Sequence, residues 1–105
     1  MTTTIETKKP HMLKLETLEY LRKTAKEFGV KKLMLFGSCL RKPEDEAGDI
    51  DLAVEGIEGC IYKFGGRLMM SEELNKMVDV VDVSDNAPIN VYIFSEGVVI
   101  YEDRR

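Results

Sequence analysis

The stretch that most constrains this chain is Leu35-Phe36-Gly37-Ser38, followed after ten intervening residues by Asp49-Ile50-Asp51. An apolar run from Leu33 to Phe36 ends abruptly at Gly37-Ser38, and Asp49 and Asp51 alternate with apolar neighbours. Residues two apart in a strand point to the same face, so both carboxylates would project side by side while Ile50 and Leu52 turn into a core. Two anions held close on a rigid strand repel each other unless a cation lies between them. Oxygen-only ligation of this kind suits Mg2+, which commonly takes one or two carboxylates together with substrate phosphates. Gly37 lets the backbone approach a phosphate closely, and Ser38 adds a hydroxyl beside the amide donors of the turn. One half of the stretch therefore suits phosphate and the other half a metal.

Around this stretch, 105 residues are expected to form one domain over 12–105, with 1–11 a polar, flexible tail. An apolar share of 44% and a charged share of 32% are ordinary for a soluble globular chain. No apolar run approaches the ~20 residues that cross a bilayer, and the N-terminus lacks the apolar segment of a signal peptide, so a cytoplasmic location is expected. Cys39 and Cys60 form no C-x-x-C pair and are read as reduced, structural thiols. The net charge of −4 is unevenly spread: residues 1–42 carry ten Lys or Arg against four Glu, and the remainder five against fifteen acids. That overall acidity argues against general nucleic-acid binding.

Leu15, Leu18, Leu21, Ala25 and Phe28 recur at spacings of three and four, predicting an amphipathic helix over 12–28 that Gly29 caps. Val30 to Phe36 follows as a strand buried on both faces. Residues 39–42 are expected as a short helical turn, 43–48 as an acidic, solvated loop, 49–54 as the second strand and 55–59 as a loop. Ile61, Phe64, Leu68, Leu74 and Met77 predict a second helix over 60–76, weakened by Gly65-Gly66, with Met69-Met70 as core filler. The β-branched run 77–83 is a strand, and 98–101 a last short one. Residues 89–96 have the composition of a strand.

The run Gly37-Ser38, ten residues, Asp49-Ile50-Asp51 matches the G-S-x(10)-D-x-D signature of the DNA-polymerase-β-like nucleotidyltransferase superfamily. Over most of its length the chain resembles the minimal nucleotidyltransferase (MNT) domains, of the MntA-like antitoxin type. The resemblance implies an α+β fold, a small mixed β-sheet packed with helices, and a short helix within 89–96. It implies that Gly37, Ser38 and Arg41 meet the nucleotide, and that Asp49 and Asp51 hold two Mg2+ ions. A third acidic ligand is taken in that family from a neighbouring strand, here Val78-Asp79-Val80-Val81-Asp82-Val83. Asp79 and Asp82 are three apart and must face opposite sides; the family pattern points to Asp79. Gly48 stands where relatives often carry Ser or Asn.

The activity implied is transfer of an NMP, with ATP as donor, onto a hydroxyl. A chain this short has no room for an acceptor domain, so the acceptor is expected on a partner, a helical HEPN-domain protein in a toxin–antitoxin pair. Two alternatives stay open: a module that neutralises its partner by contact alone, and a transferase acting on a small molecule or a nucleic acid. Nucleotide preference and oligomeric state, homo- or hetero-oligomer, are open as well.

Overall fold

A computed structural model describes residues 13–72, 74, 76–83, 93 and 96–103; the expected tail at 1–11 lies outside the described residues. The sheet is built on β1 (Val30–Phe36), whose Val30, Leu33, Met34 and Leu35 are all buried. β1 pairs antiparallel with β2 (Ile50–Ile57) on one side and with β4 (Val98–Glu102) on the other. β2 in turn pairs parallel with β3 (Val78–Asp82), giving the order β3-β2-β1-β4. Parallel neighbours need a long crossover, and α2 (Ile61–Met69) lies on it. The result is a small α+β fold with a mixed four-stranded sheet, as the resemblance implied.

Alternation along the strands divides the core between two faces. One face carries Leu33, Leu35, Ile50, Leu52, Val54 and Ile100 against α1 (Leu15–Glu27) and α2. The other carries Met34, Ala53, Val83 and Ile93. The two helices also meet directly, through Phe28 and Phe64 with ring centroids 5.6 Å apart and an Arg67–Glu27 ion pair at 3.1 Å.

The structure departs from the sequence expectations in several places. α1 buries Thr17, Leu18, Leu21, Thr24 and Ala25, whereas Leu15 is exposed, because at 3.6 residues per turn it lies about 120° round the helix from Leu21. β2 runs on to Ile57 where a loop was expected, since Glu55 and Ile57 continue the ladder opposite Lys32 and Val30. α2 stops at Met69 rather than at 76. Its glycine pair does not break it, and packing demands glycine at neither position: a Cβ on Gly65 would make ordinary contact with Val80 at 3.7 Å, and one on Gly66 would meet open space. Met69 and Met70 are exposed, not core, because Phe64 and Leu68 already fill the buried side of α2. Within 89–96, Ile93 and Glu96 are helical and Gly97 N–H donates to the Ile93 carbonyl at 2.7 Å; the other positions lie outside the described residues. No helix among the described residues is long and apolar enough to cross a membrane.

Candidate functional site

β1 ends at Phe36, paired with Asp51 near the start of β2, so the glycine turn and the aspartate pair meet at one end of the sheet. The chain leaves β1 through a single 3-10 turn, Gly37–Leu40. Gly37 has φ +80°, a conformation that L side chains rarely adopt. A Cβ there would also collide with the Oδ2 of Asp51. Two independent requirements therefore select glycine at this position. Ser38, half-buried, follows in the turn, and its carbonyl accepts the N–H groups of Arg41 and Lys42 at 3.0 and 2.9 Å. Arg41 is exposed and makes no ion pair among the described residues; Glu44 and Asp45 of the acidic loop are engaged elsewhere.

Asp49 is exposed and immediately precedes β2; Asp51 is half-buried inside it, while Ile50 and Leu52 between and after them are fully buried. The parallel register sets Asp79 of β3 directly beside Asp51, whereas Asp82 lies beside core-facing Val54. In-register residues of paired strands share a face, so Asp79 joins Asp51 and Asp82 turns to the helix side. Burial pushes the Asp51 carboxyl above its usual range, with the Asp79 and then the Asp49 carboxylate adding repulsion. Among the described residues no three carboxylate, histidine or cysteine groups converge into a ready-made cation cage. The donor set is nevertheless all oxygen, on a rigid sheet end, around a group that favours added positive charge, and this fits a hard divalent ion.

The loop between the two motif halves is only in part the solvated rim the sequence suggests: Asp45 and Glu46 are exposed, but Glu44 turns inward. Glu44 is only 9% exposed. Its carboxylate accepts the Thr17 hydroxyl at 2.9 Å and the Lys14 backbone N–H at 3.1 Å, capping the start of α1 from outside the helix. Lys14 Nζ reaches Asp45 at 2.8 Å, and Lys76 Nζ donates to the Ala47 carbonyl at 2.7 Å. Cys39, buried in the turn, points its Sγ at the Asp49 carbonyl 3.6 Å away, and burial followed by the Glu44 charge pushes its thiol up. Cys39 and Cys60 are both free; Cys39 is buried, as a structural thiol should be, whereas Cys60 is exposed just ahead of α2. These contacts pin the loop that presents Asp49. Glu44 and Lys76 carried no local signal in the sequence, since Thr17 and Ala47 meet them only through tertiary contact. Gly48 has open space where a Cβ would sit, so packing does not demand a glycine there. His11 lies outside the described residues.

No curated protein matches the chain significantly. A family model described as Polymerase beta, Nucleotidyltransferase matches residues 19–105, from within α1 to the C-terminus. That match spans the glycine turn, both motif aspartates and β3, and the chain belongs to this nucleotidyltransferase family.

Proposed function

We propose that the chain transfers AMP from ATP onto a hydroxyl of a partner protein, a small helical HEPN-domain protein whose toxicity the modification neutralises. Membership of the family implies a nucleoside triphosphate substrate. The observation that carries the reading is the meeting of Asp51, Asp79 and the Gly37 turn at one end of the sheet. The choice of ATP and of this partner rests on the sequence resemblance.

In this reading Asp49, Asp51 and Asp79 hold Mg2+, two ions, with carboxylate oxygens. Bound there, Mg2+ neutralises triphosphate charge and eases loss of the acceptor proton. The amides and hydroxyl of Gly37-Ser38 cradle the β- and γ-phosphates, and exposed Arg41 adds a cation beside the turn. The acceptor oxygen forms a bond to the α-phosphorus, the bond to the bridging oxygen breaks, and pyrophosphate leaves with the electron pair. Asp79, on the outermost strand described, faces the acceptor, and its carboxylate takes up the proton that the hydroxyl loses as the new bond forms. Positioning and charge neutralisation supply the rate, which agrees with the lack of any histidine in the motif.

The test is to incubate the chain with labelled ATP and Mg2+, with and without the helical partner. A partner band heavier by whole AMP units, absent with Asp49→Ala or Asp51→Ala, is expected. If a variant carrying both Asp49→Ala and Asp51→Ala protects cells from the partner as well as wild type does, contact alone neutralises it and transfer is not the mechanism.

A further inference from the structure

β3 is the outermost strand of the sheet, paired with β2 on one side and with no strand on the other among the described residues. The Met77 carbonyl accepts from Ile50 and the Val83 N–H donates to Val54, so odd-numbered residues turn their backbone toward β2. In a parallel ladder the intervening residues turn theirs the opposite way. The N–H and C=O of half-buried Val80 therefore point to the outer edge.

Beside that edge runs a groove of about 420 Å³ between β3 and α2, walled by Ile61, Tyr62, Gly65 and Met69. Tyr62 is 87% exposed and Met69 49%. No basic residue is among the described residues lining the groove, while Asp79 and Asp82 are.

We propose that the β3 edge and this groove hold an extended segment of the acceptor protein, added antiparallel to β3, in which a hydroxyl-bearing residue sits opposite Asp79 between two apolar ones. An extended backbone offers a donor and an acceptor that match the outward pair of Val80. The residue opposite Asp79 then occupies the close, non-hydrogen-bonded position, with its Cβ about 4.5–5.5 Å from that of Asp79 on the site face. Its two neighbours alternate to the other face and enter the apolar groove by Tyr62 and Met69. The acidic lining selects basic flanks. A second copy of this chain, with its own net charge of −4, would bring the same aspartates against those present. The proposal rests on the reading of Asp79 as a site residue.

A short synthetic peptide with a valine–tyrosine–valine centre and lysine ends tests it without nucleotide. Binding is read by fluorescence anisotropy and by hydrogen exchange at the Val80 amide. The peptide is expected to slow exchange at Val80, and to bind roughly two- to tenfold more weakly when the amide facing Val80 is N-methylated, the loss of one backbone hydrogen bond. Replacing both valines by serine, or introducing Tyr62→Glu with Met69→Glu at exposed positions, should weaken it comparably. Val80→Pro removes the outward N–H without touching the β2 ladder; the exposed-residue variant carries the test if that one misfolds. Unchanged exchange at Val80, or indifference to N-methylation, overturns the proposal. Protection that appears without peptide as protein concentration rises assigns the edge to a second copy and also overturns it. A chain that binds the peptide but never labels a partner sinks the transfer reading and leaves the docking edge standing. One that labels an acceptor with Val80 unprotected does the opposite.

Discussion

Asp51 and Asp79 occupy facing positions on parallel neighbours β2 and β3, and the Asp79 carboxylate adds its repulsion to the cost that burial sets on charging Asp51. Nothing in the fold itself requires a carboxylate at either place: Ala53 and Val81, one step further along the same face, pair as apolar neighbours. The repulsion is a cost to the folded chain that a bound cation would relieve.

Removing that repulsion should therefore stabilise the chain without metal. The folded-state pKa of Asp51 lies above its unfolded value, so its unfavourable contribution is absent at low pH and grows as pH rises through the folded pKa. Asp51→Asn should raise the denaturation midpoint at neutral pH, with the gain fading below the usual carboxylate range. Urea titrations at both pH values check this; a gain of the same size at low pH would sink it.

Mg2+ should reverse the order. A ligand that binds only the folded chain stabilises it by mass action, about 1.4 kcal/mol at roughly ten times its dissociation constant. Wild type should gain with Mg2+ and nucleotide, and Asp49→Ala and Asp51→Ala should gain little. Equal thermal shifts in all three proteins would remove these residues from the metal assignment.

The two aspartates of β3 should separate cleanly. Asp79→Asn should lose transfer while still binding the Mg2+–nucleotide, because Asp49 and Asp51 remain. Asp82→Asn, on the helix side beside Val54, should keep a near-normal rate. Single-turnover labelling of the partner decides it, and the reverse pattern would place the third site carboxylate at Asp82.

Gly37→Ala meets both a left-handed backbone and the Asp51 carboxylate. The backbone alone costs about 1–2 kcal/mol, and the displaced Asp51 should weaken nucleotide binding beyond any loss of stability. Calorimetry at a temperature where the variant is folded separates the two effects.

Glu44→Gln leaves one acceptor oxygen for two donors, the Thr17 hydroxyl and the Lys14 N–H. A buried donor without a partner costs about 1–3 kcal/mol, so equilibrium denaturation should show a loss of that order. A neutral outcome would mean that the loop reorganises freely, and that Asp49 is not held through it.

Much of this protein was legible in the residues themselves. The strand read over Val30–Phe36 matches β1 at its observed ends, and the spacing from Gly37-Ser38 to Asp49 and Asp51 located the candidate site, because turn chemistry and strand alternation are local. The same locality explains the errors. Hydrophobic residues alone gave no reason to end α2 at Met69, and the methionines after Phe64 and Leu68 read as core until those two had filled the available face.

Alternation within β3 establishes by itself that Asp79 and Asp82 diverge, yet a strand read alone has no inside or outside. Only pairing with β2, which sets Asp79 beside Asp51 and Asp82 beside Val54, decides which of them joins the motif aspartates. Likewise the sequence supplied an acidic loop, and only the approach of α1 turned Glu44 inward to Thr17, because that hydrogen bond spans 27 residues and exists nowhere in the local chain. Local chemistry determined which residues could serve a phosphate and a metal; strand register and helix docking, which depend on contacts distant in sequence, decided which of them meet.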